Sequence, residues 1–292
     1  MARANNKNTL SIVIPAKNEA ANLKGFLPRL LAVVADAEVI VVNDGSTDDT
    51  VSICEQNGVT VVTHPYSKGN GAAIKTGAKA AKGEVIVFLD GDGQHKPEDI
   101  PRLLEELATG YDMVVGARGK ESQAGSLRAV ANGVYNTLAS AITGHKILDL
   151  TSGFRAVKAE KFKEFLYLLP NGFSYPTTST MAFFRAGYSV GYMPIQTEQR
   201  LGESHISLAK DGIRFLLIIF KVGTLYSPLK IFLPVAAIFF GAGVLNYIYT
   251  YTTQGTFTNM SAVLLMASII VFLIGLVSEQ VTALMYKDSD RD

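Results

Sequence analysis

Two aspartates separated by one glycine, Asp90-Gly91-Asp92, form the sharpest chemical signal in the sequence. They directly follow the apolar run at residues 85–89, which is typical of a buried strand. Carboxylates one residue apart at a strand end can share one divalent cation, and hard oxygen ligands favour Mg²⁺ or Mn²⁺. Gln94 adds a neutral oxygen. The segment therefore predicts a metal site; the alternative is an acidic turn that caps the next helix.

Polar residues follow three other apolar runs in the same way. They are Pro15 to Glu19 after residues 10–14, Asn43 to Ser46 after residues 38–42, and His64 to Gly71 after residues 59–62. Ligands of α/β sheets bind outside the carboxyl ends of the strands, so we expect the four groups to meet at one rim. Asp44 could accept a hydrogen bond from a nucleobase, and backbone N–H groups near Lys68 could meet a phosphate. The alternatives are a helix cap after Asp44 and a solvated turn at Lys68.

These groups need a scaffold, and the first part of the chain alternates short β-branched runs with helical stretches. Strands are predicted at residues 10–14, 38–42, 59–62, 85–89 and 112–116, and helices at 18–34, 48–57, 69–81 and 97–108. The strands are apolar throughout, as expected when helices cover both faces of a sheet. The order predicts an α/β fold with a mostly parallel sheet.

The composition changes sharply along the 292 residues. Residues 1–205 are mixed, whereas Glu279 is the only charged residue between Ile231 and Tyr286. Two apolar blocks at about 231–251 and 260–286 each exceed the roughly 20 residues that cross a bilayer. They predict a transmembrane hairpin; the alternative is a buried helical pair in a large soluble core.

The segment before the hairpin is predicted to form an amphipathic helix. Lys210, Arg214 and Lys221 fall on one stripe of residues 207–226, and the rest is mostly apolar. Such a helix lies in the headgroup region of a membrane. We therefore expect domains at residues 1–205, 206–228 and 229–292, the last with a short cytosolic tail.

Charge and cysteine content restrict the partners and the compartment. The formal net charge of +1 gives no indication of nucleic-acid binding. The single cysteine, Cys54, excludes an internal disulfide and fits a reducing compartment. Lys and Arg flank the apolar blocks but are absent from Thr252–Asn259, and the N-terminus lacks the apolar core of a signal peptide. These features predict a multi-pass inner-membrane protein with its first domain and both termini in the cytosol.

Five motifs together resemble glycosyltransferase family two, in the branch of dolichol-phosphate mannose synthase and bacterial polyprenyl-phosphate glycosyltransferases. The motifs are PAKNEA, VNDGSTDDT, KGNGAAIKTG, FLDGDGQHKPEDI and TSGFRA, within about residues 9–205. The resemblance implies a Rossmann-like GT-A fold and metal-dependent, inverting transfer of one sugar from a UDP- or GDP-sugar to polyprenyl (undecaprenyl) phosphate. It also implies Mg²⁺ or Mn²⁺ as cofactor and a homo-oligomer such as a tetramer.

The resemblance also implies roles for particular residues. Nucleotide binding would involve Pro15, Asn18, Glu19, Asp44, Lys68 and Asp90. The metal would be bound by Asp90, Asp92 and Gln94. The catalytic group would comprise Asp92, Arg118, Arg128 and Arg155, with the arginines facing phosphates of donor or acceptor. The sugar and acceptor region would contain Asp149, Ser152, Gly153, Arg200 and Ser204. Each arginine could instead be an ordinary surface ion-pair partner.

Two departures from the family pattern affect the acceptor region. Relatives often carry an acidic residue where this chain has Pro176, Thr177 and Thr178, and a lysine where it has His205. A phosphate acceptor is already anionic, whereas a hydroxyl acceptor would need a general base. Transfer to another membrane lipid and a non-catalytic, membrane-tethered nucleotide-sugar binder are the alternatives. The chain contains no tryptophan and no Q-x-x-R-W motif, which argues against polymer synthesis.

Overall fold

The computed structural model describes residues 10–119, 126–172, 174–197, 220, 223–224 and 226–287, without the side chains of 126–132, 286 and 287. The chain divides into two compact units. The first comprises Met1–Ser140 and His145–Leu208, and the second comprises Ala141–Gly144 and Ala209–Asp292. Most of the predicted amphipathic helix at residues 207–226 lies outside the described residues.

A seven-stranded sheet forms the centre of the first unit. Its strands are β1 (Leu10–Ala16), β2 (Glu38–Asn43), β3 (Thr60–Thr63), β4 (Val85–Phe88), β5 (Met113–Arg118), β6 (Arg155–Lys158) and β7 (Val190–Ile195). Their order across the sheet is β3-β2-β1-β4-β6-β5-β7. Neighbouring strands are parallel except for β6, which runs antiparallel to β4 and β5. The predicted α/β fold with a mostly parallel sheet is therefore confirmed.

Seven helices are described in this unit or at its edge. They are α1 (Ala20–Val33), α2 (Thr50–Gln56), α3 (Asn70–Ala80), α4 (Ile100–Ala108), α5 (Ser126–Thr143), α6 (Ala159–Lys163) and α7 (Tyr175–Arg185). The helix predicted at residues 97–108 begins as a single 3₁₀ turn at Pro97–Asp99. Pro101 then stands at the start of α4, where its missing N–H is tolerated.

The core lies between the sheet and its covering helices. Ile12, Val41 and Val87 in β1, β2 and β4 are completely buried, and Leu27 of α1 packs with them. The expectation that every strand is covered on both faces is wrong for β3. Its two terminal threonines are exposed, because β3 pairs only with β2 and forms one edge of the sheet.

The second unit contains two long helices, α8 (Pro228–Gln254) and α9 (Asn259–Lys287), which lie against each other. Both are long and apolar enough to cross a membrane. Only 11% and 17% of their most apolar windows are buried, so they do not form the interior of a soluble core. The charged residue in α9, Glu279, accepts hydrogen bonds from the Ser227 hydroxyl and the Leu229 N–H, both at 3.2 Å.

Candidate active site

The carboxyl ends of β1, β2 and β4 lie side by side, because β1 stands between the other two strands. The Asp44 N–H donates to the Ala16 carbonyl at 2.9 Å, which ties the end of β2 to β1. A Cβ on Gly91 would lie 3.1 Å from the Pro15 carbonyl, so the turn after β4 packs directly on β1. The structure thus brings together the strand-end groups that begin at Pro15, Asp44 and Asp90.

Asp90 is enclosed by a turn from a distant part of the chain. Gly153 packs so closely that a Cβ there would lie 2.6 Å from Asp90 Oδ2. His95 Nε2 lies 3.7 Å from the same oxygen, and the His95 ring stacks on Phe154 with centroids 5.2 Å apart. Burial raises the pKa of Asp90, but His95 and the positive charge of Arg118 outweigh burial and lower it. Asp90 therefore stays ionised at neutral pH.

The donor set around Asp90 fits a divalent ion that takes further ligands from a substrate. Asp92 and Gln94 are partly exposed, and the Gln94 N–H donates to Asp92 Oδ1 at 3.2 Å. Among the described residues, no group of three or more His, Cys, Asp and Glu side chains could hold a metal. Mg²⁺ is usually bound through one or two carboxylates plus substrate phosphates and water. Asp90 and Asp92, with the Gln94 amide, match that pattern.

Arg118 at the end of β5 is a fixed cation beside this acidic pair. Its Nε and Nη2 donate to the two carboxylate oxygens of Asp149 at 2.8 and 3.0 Å, and Nη2 also donates to the Thr151 hydroxyl at 2.6 Å. Burial lowers the pKa of Arg118, but Asp149, Asp90 and Asp92 outweigh burial and raise it. Asp149 is itself almost completely buried. It therefore orients Arg118.

Arg155 does not face the rim, and the prediction that it binds a phosphate is wrong for this structure. Its side chain is completely buried, and Nη1 donates to the Pro176 carbonyl at 2.9 Å and to the hydroxyls of Ser179 and Thr180. Nη2 donates to the Ser152 carbonyl. In the antiparallel strand β6, Arg155 pairs with Phe88 at the carboxyl end of β4, which is the end of the sheet where the rim lies. Its side chain nevertheless contacts α7. Arg155 therefore stabilises the 149–154 turn from the protein interior, through its hydrogen bond to the Ser152 carbonyl.

The Asp44 carboxylate uses its full hydrogen-bonding capacity to hold the loop that follows β3. One oxygen lies 2.7 Å from His64 Nδ1 and accepts the Lys68 N–H at 2.8 Å; the other accepts from the Ser67 hydroxyl and the Gly69 N–H. A carboxylate accepts about four hydrogen bonds. Burial raises the pKa of Asp44, but these contacts outweigh burial and lower it to about 2. Nucleobase binding by Asp44 stays a prediction and would require the exchange of one existing bond.

The first turn of α1 is fixed by the loop that follows β2. The Asn18 N–H donates to the Ser46 hydroxyl at 2.9 Å, and the Glu19 N–H donates to the Thr50 hydroxyl at 3.1 Å. Asn18 in turn accepts the Thr47 N–H at 2.8 Å. Asn18 and Glu19 therefore join two strand ends, and a direct contact with a nucleotide stays a prediction for both. Pro15 is buried within β1.

The N-terminus of α3 is already occupied by carbonyl groups. The Gly71 and Ala72 N–H groups donate to the carbonyls of Gly172 and Asn171 at 2.9 and 2.8 Å. The Lys68 and Gly69 N–H groups likewise bind Asp44. Phosphate binding by backbone N–H groups near Lys68, and nucleotide binding by Lys68 itself, therefore stay predictions that would require the exchange of existing hydrogen bonds. The ammonium group of Lys68 instead lies 5.7 Å from the centre of the Tyr66 ring.

Residues 11–166, more than half of the chain, match the family model for glycosyl transferase family 2. The chain belongs to glycosyl transferase family 2. Residues 227–284 also match the model for the GtrB C-terminal hairpin. The GT-A-like sheet and the apolar hairpin expected from the sequence are thus both confirmed.

Two relatives and one solved structure place this glycosyltransferase among known proteins. Glycosyltransferase AglJ of Haloferax volcanii is 27% identical over 95% of each chain. Undecaprenyl-phosphate mannosyltransferase of Micrococcus luteus is 30% identical over 67% of this chain and 86% of its own. The solved glucosyl-3-phosphoglycerate synthase of Mycobacterium tuberculosis, in complex with Mn²⁺, UDP and glucosyl-3-phosphoglycerate, is 24% identical with a TM-score of 0.59. It covers 73% of this chain and 77% of that chain, and shows the shared fold.

Sequence reasoning missed one residue of this glycosyltransferase site and named several that the structure does not describe. That residue is His95, which follows Gln94 directly. Its closeness in sequence to the Asp-Gly-Asp segment could have identified it as a site residue. Arg200, Ser204 and His205 lie outside the described residues, and Arg128 lies in α5 with its side chain outside them.

Proposed function

We propose that this glycosyltransferase transfers a single sugar, with inversion, from a UDP- or GDP-sugar to polyprenyl phosphate, with undecaprenyl phosphate as the bacterial form. The observation that carries the proposal is the combination in one chain of the Asp90/Asp92 turn, the cation Arg118 and the apolar α8–α9 hairpin. The name of the Micrococcus luteus relative, an undecaprenyl-phosphate mannosyltransferase, supports this acceptor.

The chemistry requires charge control more than proton transfer. The anomeric carbon forms a bond to an oxygen of the acceptor phosphate while its bond to the donor diphosphate breaks, and the diphosphate leaves with the electron pair. A divalent ion held by Asp90, Asp92 and Gln94 would neutralise that leaving group. Arg118, fixed by Asp149, adds a permanent positive charge within electrostatic range of both carboxylates.

The side chains at the start of α7 also favour one class of acceptor. A phosphate is anionic near neutral pH, whereas a lipid hydroxyl needs a general base. The first residues of α7, where relatives often carry an acid, here offer the hydroxyls of Thr177, Ser179 and Thr180, and those of Ser179 and Thr180 bind Arg155. This supports a phosphate acceptor over a glycerolipid or sphingolipid.

We propose a catalytic domain at residues 1–205, a juxtamembrane helix at 206–228 and a transmembrane hairpin at 229–292. Both termini and the catalytic domain would be cytosolic, at the inner membrane. The exposed surfaces of α8 and α9 leave a thin bundle, which self-association, for example as a tetramer, would help to pack.

The deciding experiment offers the purified protein radiolabelled UDP- and GDP-sugars with undecaprenyl phosphate, with Mg²⁺ or Mn²⁺ and with a chelator. We expect one donor to label the lipid, and the chelator to abolish labelling. Asp92→Ala should lower turnover by at least about 100-fold, whereas Lys79→Ala, at an exposed position near the end of α3, should not.

Two outcomes would contradict the proposal. Labelling of a hydroxyl lipid but not of undecaprenyl phosphate would establish the lipid alternative. Nucleotide binding without transfer to any lipid, in a protein whose Asp92→Ala variant keeps its cellular role, would favour a tethered nucleotide-sugar binder.

A further inference from the structure

His95 is a buried imidazole whose two nitrogens have different surroundings. Only 5% of its side chain is exposed, and its ring stacks on Phe154 with an interplanar angle of 23°. Nε2 lies 3.7 Å from Asp90 Oδ2. Nδ1 is buried as well, and no hydrogen-bond partner for it exists among the described residues. Of the two ring nitrogens, Nε2 is therefore the one that faces a polar group.

This arrangement is unfavourable if the ring serves stability alone. A buried polar atom without a partner costs free energy, because it has given up its hydrogen bonds to water. A phenylalanine side chain at position 95 would stack on Phe154 without that cost. The aromatic stack therefore does not account for a histidine here, and we look for the reason at Nε2.

Nε2 approaches Asp90 on a side that is enclosed by protein. A Cβ on Gly153 would lie 2.6 Å from the same oxygen, Oδ2. The side chain of Asn70 also forms a hydrogen bond with the Asp90 carboxylate. The Asp90 side chain nevertheless keeps 33% of its surface exposed. The carboxylate is thus held by neighbouring residues on one side and accessible on another.

The contact between His95 and Asp90 is close to a hydrogen bond. A distance of 3.7 Å is too long for one, but a movement of less than about 1 Å brings an N–H donor into the usual range. Hydrogen bonds in active sites are often long before the substrate binds and shorten afterwards. Since Nδ1 has no acceptor beside it among the described residues, the ring proton belongs on Nε2, where it meets the carboxylate.

We propose that His95 is a positioning residue, whose Nε2–H holds Oδ2 of Asp90 against the 149–154 turn so that Asp90 presents a fixed carboxylate to the divalent ion. Partners of this kind orient metal-binding side chains and raise the affinity of the site. The inference rests on the proposed function, because it takes Asp90 to be a metal ligand. It gives His95 neither a proton to transfer nor a direct contact with the ion.

Metal affinity tests this role without any transfer reaction. The preformed Mn²⁺–pyrophosphate complex is titrated by calorimetry into the full-length protein in detergent. His95→Phe keeps a ring on Phe154 but removes the N–H, and it should weaken binding about 10-fold or more. His95→Gln can place an amide N–H near the position of Nε2, and it should stay within about threefold of wild type.

A second histidine that stacks on a phenylalanine provides the matched control. The ring of His145 lies 4.8 Å from that of Phe184, in the segment that follows α5. His145→Phe should bind the Mn²⁺–pyrophosphate complex as wild type does. Thermal unfolding separates positioning from packing, because His95→Phe removes a buried polar atom without a partner and should melt no earlier than wild type. Equal losses of affinity in His95→Phe and His95→Gln, or a lower melting temperature in His95→Phe, would mean a packing role and overturn the inference.

Pulsed electron paramagnetic resonance separates positioning from direct coordination. An imidazole nitrogen bound to Mn²⁺ would give a nitrogen coupling in the spectrum of the protein complex. We expect the nitrogen couplings of wild type and His95→Phe to be the same. A coupling that is present in wild type and lost in His95→Phe would make His95 a metal ligand, which would overturn the positioning role.

The failure of this inference differs from the failure of the proposed function. A wild-type protein that binds Mn²⁺–pyrophosphate more tightly than His95→Phe, yet transfers sugar to no lipid, would support the role of His95 and contradict the proposed function. A wild-type protein that transfers sugar with Mn²⁺, while His95→Phe binds the complex equally tightly, would overturn the role of His95 alone. Absence of Mn²⁺ binding in wild type would overturn this inference together with the proposed metal.

Discussion

Asp90 receives its surroundings from stretches of chain that are far apart in sequence. Gly153 packs against one of its carboxylate oxygens, His95 approaches the same oxygen, and Arg118 is held nearby by Asp149. The charge and orientation of the acidic pair therefore depend on the 149–154 turn as well as on the Asp-Gly-Asp segment.

This dependence predicts a large effect of one methyl group. In Gly153→Ala the new Cβ would lie 2.6 Å from Asp90 Oδ2, so either the carboxylate or the turn must move. We expect transfer activity to fall at least about 10-fold at a fixed metal concentration, with a loss of about 1–3 kcal/mol in unfolding free energy. Gly172→Ala, where the methyl group would have no neighbour within 4 Å, should stay within about twofold. Wild-type activity in Gly153→Ala would contradict the assigned contact.

Asp44 predicts a specific acid sensitivity. Its pKa of about 2 lies below the ordinary value of 3.8, so the ionised carboxylate favours the folded state. This contribution, about 2 kcal/mol, is present above pH 3.8 and is lost as the pH falls from about 4 to about 2. Asp44→Asn should be less stable at neutral pH, and its melting temperature should fall less steeply over that window. The exposed Asp36→Asn should behave as wild type; identical slopes for Asp44→Asn would refute the prediction.

At this scale the sequence predicted which residues gather at the rim better than which way they face. Asp90 and Asp92 follow β4 and Arg118 ends β5, and the carboxyl ends of parallel strands lie at one edge of a sheet. Arg155 also begins a strand at that end, but its side chain points to α7. Asp44 has a polar neighbour at Ser46, yet its four donors come from residues about 20 positions later. Neither orientation is encoded by local spacing.

Helix α3 owes its position to small residues. A Cβ on Gly71 would lie 2.0 Å from the Pro170 carbonyl oxygen, and one on Gly77 would lie 2.3 Å from Val13 Cγ1. Lys75 adds a hydrogen bond to the Leu169 carbonyl at 3.1 Å. The helix is therefore fixed between β1 and the segment that precedes α7.

The same substitution at two helical glycines should have opposite effects on stability. Gly71→Ala forces backbone apart and should lower the free energy of unfolding by at least about 2 kcal/mol. Gly25→Ala in α1 meets no atom within 4 Å and should raise it by about 0.5–1 kcal/mol, as expected from helix propensity. Chemical denaturation of the two variants in detergent checks both signs. Equal destabilisation would mean that α3 does not pack as described.

Elements were predictable where periodicity and order suffice. Apolar runs separated by helical stretches identified β1 to β5 within two residues at each end. The pattern carries no signal for β6, whose four residues, Arg155–Lys158, are half polar although the first three are buried. Its antiparallel insertion between β4 and β5 is decided by tertiary structure, because the residue pairs that define it are at least 40 positions apart in the chain.

On the scale of the whole molecule, the hairpin has chemically distinct ends. Tyr247, Tyr251 and Phe257 form an aromatic cluster near the connection between α8 and α9, with ring centroids 5.5–5.7 Å apart. Aromatic side chains of this kind concentrate at membrane–water interfaces. Lys230 and Glu279 lie at the opposite end of the hairpin. The charge distribution therefore predicts that the connection faces away from the cytosol.

Cysteine labelling in intact cells tests this orientation, and the natural cysteine of the chain should give little background labelling. Burial raises the pKa of Cys54 to about 11, so its thiol stays protonated and reacts slowly. A membrane-impermeant maleimide should label Gln254→Cys, at the exposed end of α8, once the outer layer of the cell envelope has been opened. Lys82→Cys in the first unit should react only after the inner membrane has also been permeabilised. The reverse pattern would place the donor site outside the cytosol, where nucleotide-sugars are not made. Since the proposed reaction needs both a cytosolic donor and a membrane acceptor, that result would remove its topological basis even if every residue at the rim were correctly assigned.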